Sequence, residues 1–338
     1  MVTHSDRAVY AAAPSRYEAM PYRRCGGSGL KLSAFSLGFW HNFGDSGNFD
    51  TMQSLCRTAF DAGVTSFDLA NNYGPAYGRA EENFGRILEK DFKPYRNELI
   101  VSSKAGYDMW AGPYGAGGSK KYLIASCEES LKRMGLEYVD IFYHHCMDSE
   151  TPIEETVETL NLLVQQGKAL YVGISNYNEA STRRAREYAQ SIRCPLVIQQ
   201  QRFSLFDRSM EEDGTLAYCV NNGIGVIAYS PLAQGLLTNR YLNGIPADSR
   251  ISRDPRFLRR EDLTEQTLQK IHQLYLLSAK KEVTLAEMSL AWLLSHEAVC
   301  SVIIGASKPE QILENVRATS CPGFSADELA EIDAIVGA

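Results

Sequence analysis

The chain has no excess of positive charge, no long apolar run, no C-x-x-C pair and no glycine-rich fingerprint behind its first strand. Its 338 residues carry 34 Lys and Arg against 41 Asp and Glu, a formal net charge of -7. A nucleic-acid binder would need a basic face, which this balance does not support. No apolar segment approaches the roughly 20 residues that span a bilayer as a helix. The opening stretch, MVTHSDRAVYAAAPSRYEAMPYRR, lacks the continuous apolar core of a secretory signal. These absences predict a cytoplasmic chain with neither nucleic acid nor membrane as partner. Residues 1–21 read as a loosely ordered arm ahead of a domain over 22–338. The eight cysteines are scattered, several on apolar helix or strand patterns such as LCRTAF and VCSVII. They read as reduced, buried thiols rather than a disulfide framework. His144 and His145 are adjacent on an apolar run and so face opposite sides of a strand, which argues against a shared metal. GGSG at 26–29 reads as a hairpin turn. GPYGAGGSKK at 112–121 has its lysines out of register for a phosphate loop. Without G-x-G-x-x-G an open dinucleotide-binding sheet loses its main support.

What is present is one unit repeated. Short β-rich runs at 32–38, 65–70, 98–105, 138–145, 169–175, 195–200, 225–230 and 299–306 alternate with amphipathic helical patterns. Several helices close on a glycine, at Gly63, Gly135, Gly167 and Gly223, the residue favoured just past a helix C-terminus. Strand–helix alternation implies parallel β-α units, and eight of them close a (β/α)8 TIM barrel. The prediction is therefore an α/β chain: a (β/α)8 barrel with an N-terminal β-hairpin and long loops after the third strand (106–121) and the seventh (231–260). In such barrels the loops that follow strands build the site.

Polar residues end these strands in succession. Asp68 ends the second, with Tyr73 on the turn after it; Lys104 ends the third and His145 the fourth. Ser175 and Asn176 end the fifth, Gln200 the sixth, Tyr229 and Ser230 the seventh, and Gly305, Ala306 and Ser307 the eighth. Singly, Lys104 reads as a partly exposed lysine and Asp68 as a turn or capping residue; together they share a logic. A phenol near pKa 10 is a poor acid at neutral pH. A neighbouring ammonium favours its phenolate, and a carboxylate keeps the ammonium charged and oriented. Tyr73 can then give a proton to an oxygen that becomes negative, while His145 steers the carbonyl. This is equipment for carbonyl reduction, with the polar strand ends opposite placed to hold a nicotinamide carboxamide and Tyr229 to stack on its ring. A barrel lyase or hydrolase would need paired carboxylates or a metal cluster instead.

LGFWHNFG, FDLANNYG, SSKAG, VDIFYHH, VGISN, YSPLAQGLL and IIGASKPEQILENV, in this order from about Tyr22 onward, resemble the aldo-keto reductase superfamily. GYDMWAGPYGAGGSKKY and PLAQGLLTNRYLNGIPADSR further resemble its bacterial L-glyceraldehyde 3-phosphate reductases, a group similar to the β subunits of voltage-gated potassium channels. The resemblance implies Tyr73 as general acid, Lys104 and Asp68 as the partners that tune it, and His145 as the carbonyl-orienting group. It implies cofactor contacts at Trp40, Asp68, Ser175, Asn176, Gln200, Tyr229 and Ser230, a pyrophosphate cover at Leu232 and Gly235, and an adenosine end at Arg240, Arg250, Gly305, Ser307, Gln311, Glu314 and Asn315. Two Arg and a Ser suit a 2′-phosphate, so NADPH/NADP+ is the expected cofactor. The expected substrate is a small aldehyde or ketone, of the glyceraldehyde 3-phosphate or methylglyoxal type, bounded by Trp40, Tyr73, Trp110, Tyr114 and His145. Lys120 and Lys121 are candidates for a substrate phosphate. A homo-oligomer, tetramer or larger, is also implied. The alternative is a cofactor-binding regulatory module like the channel β subunits. His145, where those subunits have Asn, and an arm too short for an inactivation peptide favour the enzyme. Two departures stand out: HHC at 144–146 where Ser-His-Arg is expected, so that Cys146 and Met147 alter the pocket floor, and a C-terminal helix ending near Gly337 without a longer tail.

Overall fold

The computed structural model describes residues 9–242, 258, 259, 261 and 263–337. Two short strands, β1 (Tyr22–Arg24) and β2 (Lys31–Ser33), form the antiparallel hairpin expected around GGSG. Eight more follow: β3 (Phe35–Gly38), β4 (Ser66–Asp68), β5 (Ile100–Ala105), β6 (Val139–His144), β7 (Ala169–Ser175), β8 (Leu196–Arg202), β9 (Gly225–Tyr229) and β10 (Val299–Ile304). They pair in parallel in chain order, and β10 returns to β3 to close the barrel. All eight lie where the sequence predicted a strand.

The helices around the barrel form for local reasons. Asn48 accepts from the Thr51 amide to start the helix Phe49–Asp61, whose Met52, Leu55, Cys56, Ala59 and Phe60 share one buried face. Ser119 caps Lys120–Met134 in the same way, and Gly135 ends it at a φ of 66°. Gly63, Gly167 and Gly223 also take positive φ, as their placement after helical patterns implied. Two features depart from the sequence reading. The helical pattern SMEEDGTLAYCVNNG, one of those alternating with the strand runs, is not a single helix: it breaks at Gly214 (φ 82°) into Ser209–Glu212 and Thr215–Asn221. Between β9 and β10 stand two further helices, Glu265–Lys280 and Leu285–Ser295. The second is apolar almost all round and buried against the barrel, so it shows no amphipathic stripe.

The hairpin closes one end of the barrel. Cys25, Leu30 and Leu32 pack with Ile141, Tyr143, Ile198, Ile227, Cys300 and Ile303 inside it. The Gly27 amide donates to the Gly223 carbonyl at 2.9 Å, just ahead of β9. That is the N-terminal end of the strands, so the opposite end, where the strand-end residues gather, is left for a site. From residue 9 onward the arm is docked, not loose. The Tyr10 hydroxyl (2.7 Å) and the Ala13 amide (2.8 Å) both donate to Asp61 Oδ1, and the Ala12 amide donates to the Tyr95 hydroxyl. No helix of the described residues is long and apolar enough to cross a membrane.

Candidate active site

Asp68 is the last residue of β4 and lies opposite Ser102 of β5. Lys104, two residues farther along β5, therefore projects to the same side as Ser102. Its ammonium is fully buried and makes three hydrogen bonds: to Asp68 Oδ2 at 2.7 Å, to the Leu69 carbonyl at 2.7 Å and to the Tyr73 hydroxyl at 3.2 Å. An ammonium has three donors, so each has a partner. Asp68 Oδ1 accepts from Ser102 Oγ and Gln200 Nε2, both at 2.9 Å. A buried ion pair survives desolvation only with such complete hydrogen bonding. Burial pushes the Lys104 ammonium down from its ordinary value, with Asp68 opposing.

Tyr73 differs from expectation. The sequence reading had Lys104 lowering the phenol; in the structure, desolvation raises it well above 10, and the Asp68 carboxylate adds to the rise. The group is thus held as a neutral phenol. Because Lys104 donates to its oxygen, the phenolic hydrogen is left for another acceptor.

The His145 ring stands 5.7 Å from the Tyr73 ring and 4.7 Å from that of Tyr107, edge-on to each. Burial, followed by the charge of Lys104 and by His144, holds it well below 6.5, so it is a neutral imidazole with one donor nitrogen. Its Nδ1 is buried without a hydrogen-bond partner. His144 faces away, its Nδ1 2.5 Å from the Tyr177 hydroxyl. Cys146 is half-buried, and desolvation lifts its thiol to about 11.

Asn176 joins the two walls. At a φ of 59°, its Nδ2 donates to the His145 carbonyl at 3.0 Å, to Ser175 Oγ at 3.2 Å and to the Tyr107 hydroxyl at 3.4 Å, and its Oδ1 accepts from the Tyr229 hydroxyl at 2.7 Å. Asp68, Tyr73, Lys104, His145, Ser175, Asn176, Gln200 and Tyr229 are thus one connected set. Trp40 borders it, its carbonyl accepting from the Gly74 amide beside Tyr73. Farther round the rim, Ser230 Oγ accepts from Gln234, and the Leu232 carbonyl accepts from the Gly235 amide. Gln311 Oε1 accepts from the Ser307 and Lys308 amides, capping the helix Pro309–Val316, on which Glu314 is exposed and Asn315 buried. Arg240 is exposed on a short 3-10 turn, and Arg250 lies outside the described residues.

The predicted aromatic residues have the following contacts. Trp110 packs against Tyr122 at 5.2 Å, and Tyr114 lies under Lys121 Nζ at 5.2 Å. The ring nearer to His145 belongs to Tyr107, which was not among the predicted residues. Its position three residues past Lys104 was the available signal.

The rim fits a nicotinamide cofactor on the structure's own terms. Gly305 is exposed with nothing within 4 Å of where a Cβ would stand, an open cradle after β10. The Tyr229 ring is half-buried beside the amide of Asn176.

The Aldo/keto reductase family model matches residues 34–336. The chain is 53% identical over 328 residues to proteins named L-glyceraldehyde 3-phosphate reductase from Escherichia coli O157:H7 and strain K12, covering 96% of this chain and 95% of each relative. It is 36% identical over 325 residues to a probable voltage-gated potassium channel subunit beta of Oryza sativa subsp. japonica, covering 94% of this chain and 97% of that protein. With a closed eight-stranded barrel and a match over nearly its whole length, the chain belongs to the aldo/keto reductase family of oxidoreductases.

Proposed function

We propose that the protein reduces small aldehydes, of the glyceraldehyde 3-phosphate or methylglyoxal type, to alcohols with NADPH. The observation that carries this reading is the chain Asp68–Lys104–Tyr73 with the neutral His145 ring beside it. The name borne by the 53% identical relatives supports the substrate class.

When bound, NADPH would supply a hydride for the carbonyl carbon. The protein must supply everything at the oxygen. His145, neutral because it is buried beside Lys104, donates a hydrogen bond and orients the carbonyl. Tyr73 gives its proton to that oxygen as negative charge develops there. The phenolate left behind faces Lys104 Nζ at 3.2 Å, so the ammonium stabilises it at the moment it forms. Asp68 holds Lys104 in place and charged through its contact at 2.7 Å. Asn176, Gln200 and Tyr229 would hold the nicotinamide, Gly305 and Ser307 the adenosine end.

Tyr73→Phe keeps the ring and removes only the acid. It should bind NADPH like the parent yet lose about 10²–10⁴-fold in turnover across a panel of aldehydes, followed by loss of reduced-nicotinamide absorbance. Turnover near the parent's rate would refute the assignment of Tyr73 as proton donor.

A further inference from the structure

Among the described residues, the proton-transfer chain leaves a charge at the barrel mouth unused. Arg202 is the last residue of β8, two positions past Gln200. Side chains two apart on a strand share a face. Gln200 reaches inward to Asp68, so Arg202 stands on that same inward face one step higher, at the rim. In register it lies opposite Tyr229 of β9, whose hydroxyl meets Asn176, which in turn meets Tyr107 and the His145 carbonyl. The positive charge of Arg202 favours the ionised form of both Tyr229 and Tyr107, against the burial that raises them. It therefore acts at the same edge of the mouth as the ring nearer to His145. About half of its side chain is exposed, and its ion pair with Asp207 is long, at 3.7 Å through Nη1. A guanidinium carries five donors in a planar fork suited to phosphate, and one distant carboxylate oxygen does not occupy them.

A chain with a net charge of -7 repels an anionic substrate unless a local cation offsets the field. Other cations near this end are differently disposed. Lys120 and Lys121 open the helix Lys120–Met134, and Lys121 Nζ lies over the exposed Tyr114 ring. Arg79 is paired with Asp45 and Glu82.

We propose that Arg202 anchors the anionic tail of the substrate, the phosphate of a three-carbon aldehyde phosphate whose carbonyl lies at Tyr73 and His145, and so sets the preference for phosphorylated over neutral aldehydes. This rests on the reading of the site as a carbonyl reductase. The test compares glyceraldehyde 3-phosphate with unphosphorylated glyceraldehyde for the parent, Arg202→Gln, Arg202→Lys and the double variant Lys120→Gln/Lys121→Gln. Arg202→Gln should raise KM for the phosphate ester about tenfold or more, with kcat and the kinetics of neutral glyceraldehyde unchanged. Arg202→Lys should recover part of the loss, and the lysine pair should have the smaller effect. Equal losses on both aldehydes, no loss on either, a loss confined to the lysine variant, or a parallel fall in NADPH affinity would each overturn the proposal. Calorimetric titration with glycerol 3-phosphate, which has no carbonyl, separates the two readings. Binding by the parent that Arg202→Gln abolishes keeps the anchor even if no aldehyde is reduced. Absence of binding to the parent removes it.

Discussion

His144 and His145 are neighbours in the chain and face opposite sides of the barrel wall. His145 stands beside the Tyr73 and Tyr107 rings, and burial holds it neutral. His144 is packed outside, against Tyr177 and the Gly118 backbone, where burial takes it from 6.5 down to about 4. The consequence for stability has a definite sign. Between pH 6.5 and about 4 the unfolded chain binds a proton at this position that the folded chain refuses, so stability falls as pH falls through that window. The contribution is up to about 1.4 kcal/mol per pH unit. His144→Gln keeps a polar partner for the Tyr177 hydroxyl and removes the titration. Urea unfolding between pH 7 and 5 should therefore show a shallower acid destabilisation in the variant than in the parent. Identical slopes would place the acid sensitivity elsewhere, with His145 the next residue to examine.

Among the elements, the hairpin has the clearest separable role. Gly26 takes a φ of 53°, and a Cβ there would stand 2.1 Å from the Gly223 carbonyl oxygen and 2.8 Å from the Gly225 amide nitrogen. Both the backbone conformation and the space exclude a side chain. Gly26→Ala should lower stability by about 1–3 kcal/mol, read from chemical denaturation. The hairpin plugs the end of the barrel away from Tyr73 and His145, so KM and kcat of the folded variant should not change. A variant of parental stability would show that the plug is not held by this close approach. A large loss of turnover in the folded variant would show that the two ends of the barrel are coupled.

At the scale of the whole molecule, the question is how a protein of net charge -7 would hold the proposed NADPH, itself an anion. The expected answer lies after β9 and β10, with Arg240 and Arg250 on the long loop and Ser307 past the last strand. Planar guanidinium groups bind a 2′-phosphate well and gain little from a ribose hydroxyl. NADPH should therefore bind more tightly than NADH, and Arg240→Ala with Arg250→Ala should narrow that gap about tenfold or more. Fluorescence titration of the parent and the double variant with each cofactor measures it. Equal affinities in the parent, or an equal loss for both cofactors in the variant, would contradict the assignment.

The sequence alone determined the repeating unit, because strand and helix periodicity, caps and left-handed glycines such as Gly135 are local properties. It also placed Asp68, Lys104 and His145 at or next to strand ends, since an apolar run that stops on a polar residue marks where a strand leaves the core; Gln200 was read as the end of its strand, which runs on to Arg202 because the following pairs with β9 are still made. Tyr73 was legible for a similar reason, as a phenol on a polar turn. Other features depend on contacts distant in sequence. The arm looked loose because its partners, Asp61 and Tyr95, lie far along the chain. The helix Leu285–Ser295 went unread because an all-round apolar pattern has no stripe. Tyr107 acquires meaning only when β5 and β6 set it against the ring of His145. The direction of the Tyr73 shift was misread because sequence gives the neighbours of a phenol but not its burial. Only the closed barrel buries the phenol beside Asp68, and both effects raise it, since the loss of water around a group is set by every element packed against it.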